Sequence, residues 1–204
     1  MSTIAAISTP AGTGGVAMVR VSGGKAREIL ARVFLPRGKA SPAEAPRRAV
    51  YGRFRDDGGF FDDGVALFYP GPSSYTGEDV AELCCHGGLL VTQRLLAAVL
   101  AAGAGCAAPG EFTRRAFLNG KLTLTQAEAV GGLIEAKTDR QLEISLRQAE
   151  GALSERIRSF SDRLRHLAAS VCAFIDYPDE DMTDVSVPAM RAELKDLLRA
   201  LEAL

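Results

Sequence analysis

The spacing of apolar residues changes character once along the chain. Up to about residue 110, short β-branched and apolar runs alternate with glycine- and proline-rich stretches. From Leu122 onward the apolar positions recur at helical steps almost to the last residue. Ile4-Ala5-Ala6-Ile7 reads as a strand, Ser8 to Gly15 as a hairpin or tight connection needing positive φ, and Val16 to Val21 as a second strand. After Ser22-Gly23-Gly24, a helix of about Lys25 to Phe34 puts Ala26, Ile29, Leu30 and Val33 on one face. Residues 35–48, rich in Pro, Ala and Arg, predict a surface connection. Val50–Arg55 and Gly64–Tyr69 predict strands joined through the Asp56-Asp57-Gly58-Gly59 turn, and Val80 to His86 predicts another. Gly87-Gly88 then leads into a helix of about Leu89 to Ala102.

In the helical half, Thr123 or Thr125 can cap a helix reaching about Ala136, and Thr138 or Asp139 can cap the next. Leu142, Leu146, Ala149, Leu153, Ile157, Phe160, Leu164, Leu167 and Val171 fall at steps of four and three. That pattern predicts one long helix whose apolar seam packs against partner helices, with His166 beside it on the surface. Asp176 to Asp181 is an acidic break, read as a solvated loop that caps a helix. A last helix starts near Val187 and meets the chain end with no residue to stop it, which predicts a chain cut through a helix. Between the halves, Pro109 to Lys121 mixes Glu111, Arg114, Arg115 and Lys121 with Phe112, Phe117 and Leu118. A plain linker would be small and polar, so this stretch predicts a buried, functional connection between two domains.

Composition adds mainly exclusions. The 204 residues suffice for one large domain or two smaller ones, and the formal net charge of −1 gives no basic field that would announce nucleic-acid binding. No apolar run approaches the roughly 18 residues of a membrane span, and the N-terminus shows no secretory signal. Cys84, Cys85, Cys106 and Cys172 form no C-x-x-C pair, and the adjacent two would point to opposite faces of a strand. With only His86 and His166 to join them, no metal cluster is evident, and reduced thiols are the reading. Gly12, Gly14 and Ala17 match a dinucleotide fingerprint in form, but a β-branched run follows where a helix is needed. Pro36-Arg37-Gly38-Lys39 lacks the upstream Gly and following Ser or Thr of a phosphate loop.

Two charges stand inside apolar strands. Arg20 and Glu82 have opposite signs and fall on strands that one sheet could contain. Each needs a partner or water there. A structural salt bridge and a site for a polar heterocycle both satisfy that demand.

Several stretches together resemble the MnmE (TrmE) family of tRNA modification GTPases. They are Thr3 to Pro10, Gly14 to Gly23, Pro70-Gly71-Pro72-Ser73-Ser74-Tyr75-Thr76-Gly77-Glu78-Asp79, Glu82 to Gly88, Pro109 to Lys121 with Gln126-Ala127-Glu128-Ala129, and Ile175 to Glu180. The resemblance implies an α+β fold. A mixed-sheet, tetrahydrofolate-binding and dimerising domain like the folate-binding aminomethyltransferases would cover residues 1–120. The first part of an all-α helical domain would cover 121–204, ahead of an inserted G domain. It implies 5-formyltetrahydrofolate or 5,10-methylenetetrahydrofolate as cofactor, held by Arg20, Glu82 and Lys121, with GTP, Mg and K entering only through the G domain. It also implies a cytoplasmic homodimer that acts with the flavoprotein MnmG (GidA) on C5 of the wobble uridine of tRNA. The chain departs from the family in having no G-x-x-x-x-G-K-[ST], so GTP hydrolysis is not expected of these residues alone. A free-standing folate-dependent one-carbon enzyme and a dimerisation scaffold are the alternatives.

Overall fold

The computed structural model describes residues 2–176 and 186–203. They form two compact units, Met1–Ala127 and Glu128–Leu204, and the class is α+β, a mixed sheet followed by helices. The acidic break at 177–181 lies outside the described residues.

The first unit is a seven-stranded sheet in the order β3-β4-β5-β6-β2-β1-β7. Its elements are β1 (Ile4–Ile7), β2 (Val16–Ser22), α1 (Ala26–Val33), β3 (Phe34–Pro36), β4 (Val50–Asp56), β5 (Gly59–Tyr69), β6 (Val80–His86), α2 (Leu89–Ala101), β7 (Gly105–Cys106) and α3 (Glu111–Leu118). All neighbours pair antiparallel except β1 and β7, which run parallel. Strand alternation sorts side chains between two faces. Ala17, Val19 and Val21 of β2 join Ala81, Leu83 and Cys85 of β6 and Ala66 and Phe68 of β5 in the core, under Ile29, Leu30 and Val33 of α1 and Leu95 and Val99 of α2. The opposite face carries Met18, Arg20, Glu82, Cys84, Val65, Leu67 and Tyr69, all half-buried. Burial there is incomplete because α1 and α2 both pack on the core side.

Gly64 shows how tightly this sheet is built. A Cβ at that position would stand 2.1 Å from the Cys84 carbonyl oxygen and 2.9 Å from the Phe54 ring. No side chain fits, so the residue has to be glycine.

The other strands and the first two helices match the sequence reading closely, but β5 begins at Gly59, inside the expected turn, rather than at Gly64. Three further elements differ from it. β3 occupies the start of a stretch that composition marks as a surface connection, and β7 has no local signal. The stretch 109–121 is no linker: it contains α3 within the first unit, with Arg115 and Ala116 buried and Phe117 and Leu118 exposed.

α4 (Leu124–Glu135) carries the chain from the first unit to the second, which continues with α5 (Asp139–Ala149), α6 (Ala152–Asp176) and α7 (Val187–Glu202). Thr123 is the α4 cap: its hydroxyl accepts from the Gln126 N–H and Gln126 Oε1 accepts from the Thr123 N–H, a capping box. Thr138 and Ser186 cap α5 and α7 in the same way, each accepting one backbone N–H. The single long helix read from the seam is two helices, because Gly151 adopts φ +85° and turns the chain between α5 and α6. Ala129, Ser145, Leu167 and Leu197 are buried, whereas Leu142, Leu146, Ile157 and Leu164 remain 46–49% exposed. The seam is thus largely uncovered among the described residues. Arg163 of α6 and Glu193 of α7 pair at 3.3 Å. No described helix is long and apolar enough to cross a membrane.

Candidate functional site

The antiparallel register of β2 and β6 sets Arg20 opposite Glu82 on the half-open sheet face. Arg20 Nε and Nη2 both donate to Glu82 Oε1, at 3.0 and 2.7 Å. The two side chains are 23% and 17% exposed, so the pair is neither solvent-screened nor sealed in the core. Tyr75 and Phe112 add their rings, whose centroids lie 5.5 and 5.8 Å from the guanidinium carbon of Arg20. Both are within cation–π range. Tyr69, two residues along the same face from Leu67, sits near enough to Glu82 that burial and then the carboxylate raise its phenol pKa.

These groups come from five elements, and a polar network fixes the two that are not strands. The turn-forming stretch 70–79 and α3 are bolted to β2 through Glu78 and Arg115. Ser22 Oγ donates to Glu78 Oε2 at 2.7 Å and shares a 2.7 Å hydrogen bond with Thr76 Oγ1. Arg115 Nη1 donates to Glu78 Oε2 at 3.0 Å and to the Ser2 carbonyl at 2.7 Å, while Nη2 donates to Glu111 Oε1 at 2.9 Å. Arg115 is buried, and burial opposes its charge, yet the bonds to Glu111 and Glu78 leave its pKa above the ordinary value. Glu111 is held below the usual carboxylate range, first by the Ala108 N–H and then by Arg115. The Tyr75 hydroxyl meets Thr113 Oγ1 at 2.9 Å, tying the loop's aromatic residue to α3.

Lys121 stands apart from the ion pair. Its Nζ donates to the Pro72 carbonyl at 3.1 Å, and its stem runs beside Gly77, so it closes over the same loop rather than meeting Arg20 or Glu82. Asn119 reaches the Thr76 carbonyl at 2.7 Å from the same side. The structure therefore brings Arg20 and Glu82 into contact and puts Lys121 on the loop that carries Tyr75.

The residues that sequence reasoning did not assign are Tyr75, Phe112, Glu78 and Arg115. In the sequence, Arg115 and Phe112 stand out only as members of the unusual stretch 109–121. What could have found the charged ones is the accounting rule that a buried charge needs a partner, applied to Glu78 and Arg115 together.

A second polar group lies on the same sheet. His86 Nδ1 is 2.7 Å from Asp62 Oδ1, and Asp62 Oδ2 accepts the His86 N–H at 2.9 Å. Asp63 lies alongside, engaged by the Tyr51 hydroxyl. Donor atoms of Asp62, Asp63 and His86 fall within 4.8 Å of one another, a grouping that the sequence spacing hid. The hydrogen bond to Asp62, then its charge, raises the His86 pKa.

The first unit coincides with a known family. The family described as "GTP-binding protein TrmE N-terminus" matches residues 3–121, and "MnmE helical domain" matches residues 124–204. The chain belongs to the MnmE family. It is 48% identical over 196 residues to the tRNA modification GTPase MnmE of Halorhodospira halophila, covering 96% of this chain and 40% of that protein. The protein of the same name from Geobacter sulfurreducens is 49% identical over 195 residues, with 95% and 42% covered. That of Coxiella burnetii is 42% identical over 200 residues, with 98% and 43% covered. The chain thus spans about two fifths of the length of these MnmE relatives.

Proposed function

We propose that this chain is the folate-binding, dimerising portion of a tRNA-modifying GTPase of the MnmE family, acting in modification at C5 of the wobble uridine together with the flavoprotein MnmG. The observation that supports the folate reading is the Arg20–Glu82 pair on the half-open sheet face, flanked by two aromatic rings.

The residues fit a reduced pterin by the chemistry of their donors. Glu82 is a carboxylate that already takes two N–H groups from a planar guanidinium. The amino-pyrimidine edge of a pterin presents the same pair of donors to a carboxylate. Arg20 and Lys121 supply cations for the oxygens of the ring, the formyl group or the glutamate tail. A bound 5-formyl- or 5,10-methylenetetrahydrofolate would supply a one-carbon unit; the protein's part is to hold and orient it. GTP, Mg and K belong to the G domain of the longer relatives, and tRNA and MnmG to the assembled enzyme.

Calorimetric titration of the 204-residue chain with 5-formyltetrahydrofolate tests the reading. Arg20→Ala and Glu82→Ala should each weaken binding about 10- to 150-fold, the loss of a hydrogen bond to a charged group. Unchanged affinity in either variant removes that residue from the site. Sedimentation at micromolar protein should show a dimer, and a monomer would count against dimerisation through the first unit.

A further inference from the structure

Resting on the folate reading above, we infer that Tyr75 and Phe112 are the stacking surfaces of the ligand site and that the Arg20 guanidinium keeps the ligand's place until the ligand arrives. Three observations converge on one group. The Arg20 guanidinium is planar, donates Nε–H and Nη2–H to a single carboxylate oxygen of Glu82, and lies within 5.8 Å of the centroids of both rings. Each of these properties is one that a 2-aminopyrimidine ring would offer in its place. That ring contains a guanidine-like N–C(NH2)–N–H unit, presents two donors on one edge, and has flat faces suited to aromatic stacking.

The exchange follows from the chemistry. The ligand's amino edge replaces Arg20 on Glu82, and its ring replaces the guanidinium beside Tyr75 and Phe112. The displaced Arg20 remains charged and turns to an oxygen of the ligand, so no buried carboxylate or guanidinium is left alone. The surroundings support a fixed receptor rather than an adaptable one. Tyr75 is held through its hydroxyl on Thr113, and Phe112 rides on a helix pinned by the buried Arg115 to Glu78 and the Ser2 carbonyl. Two rings rigidly placed on either a loop or a helix, both directed at the same side chain, have no structural duty in the core: Tyr75 is 38% exposed and Phe112 is half-buried.

The test titrates the whole chain, wild type and the Tyr75→Leu, Phe112→Leu and Tyr75→Phe variants, with 5-formyltetrahydrofolate and with p-aminobenzoyl-glutamate, which has no pterin. Both Leu variants should bind the folate about 5- to 150-fold more weakly, the range for loss of one aromatic stacking partner. Tyr75→Phe keeps the ring and should bind within about threefold of wild type. The affinity for p-aminobenzoyl-glutamate should be the same in all four proteins. In parallel, the Nε–H resonance of Arg20, assigned by its loss in Arg20→Lys, should move when the folate saturates the wild type.

Wild-type binding with Leu variants as tight as wild type overturns the stacking role and leaves the folate reading standing. Weakening in the Leu variants with an unmoved Arg20 resonance overturns the exchange. A folded wild type that binds neither probe overturns the folate reading and this inference with it.

Discussion

Replacing Arg115 by Met removes every charged hydrogen bond that joins the loop 70–79, α3 and the start of the chain. Met roughly preserves the aliphatic volume, so the change reports on the lost charge more than on a cavity. In the native unit the Arg115 side chain is 5% exposed, against 16% for Glu78 and 19% for Glu111. The variant takes from both carboxylates the buried cation they share and leaves the Ser2 carbonyl without its Arg115 donor. Breaking a pair this deeply buried costs about 3–5 kcal/mol. With a urea slope of about 2 kcal/mol/M, the unfolding midpoint should fall by about 1.5–2.5 M. Near-UV circular dichroism reports mainly on this unit, since three of the four tyrosines of the chain, Tyr51, Tyr69 and Tyr75, lie within it. Glu78→Gln and the double variant complete a cycle, in which the pair should couple by about 0.5–3 kcal/mol. A loss below about 1 kcal/mol for Arg115→Met is the value of an exposed ion pair. It would refute the claim that this network is what holds the loop and helix against the sheet.

Gly64→Ala should fail to reach the folded state or lose more than about 3 kcal/mol, because the nearest obstacle is backbone, and its expression and urea midpoint are the check. His86 contributes stability that is fully present below its unfolded pKa near 6.5 and is lost as pH rises through its raised folded value. The thermal midpoint of wild type relative to His86→Gln should therefore decline above about pH 6.5, and a flat difference would dismiss the Asp62 contact. Burial and then Glu82 push the Cys84 thiol up, so it should react with a disulfide reagent far more slowly than exposed Cys106 and Cys172. Glu82→Gln should speed Cys84 at pH 8, and an unchanged rate would show that burial alone sets its reactivity.

The strands that sequence could reveal are those whose side chains alternate between the two faces over several residues, as β2 and β6 do. Arg20 and Glu82 were legible as anomalies for the same reason: a charge inside such a run asks for a partner, and the structure supplies each with the other. What the chain could not say is that two rings from distant stretches would meet the same guanidinium. β7 was invisible because two residues hold no pattern; it exists only as a hydrogen-bonded rail for β1, with Gly105 N–H on the Thr3 carbonyl and Ala107 N–H on the Ala5 carbonyl. The break at Gly151 escaped because the steps Leu146, Ala149 and Leu153 keep helical spacing across it, and periodicity cannot sense one left-handed residue. α3 was hidden by Pro109-Gly110, which reads as a turn; Gly110, at φ +70°, is in fact its cap.

The parallel β1–β7 rail and the Arg115 bond to Ser2 also decide when this unit can close during synthesis. Ser2 and Arg115 are 113 positions apart. At a ribosomal rate of about 5–20 residues per second, the first strand waits about 6–23 s for that arginine to be made. Until then β1 has β2 on one side and an unpaired edge on the other, the condition under which strands recruit the wrong partner. The end of the unit that is made first is thus the last to be secured. Its safe folding depends on how quickly the segment from β7 to α3 follows it out of the ribosome.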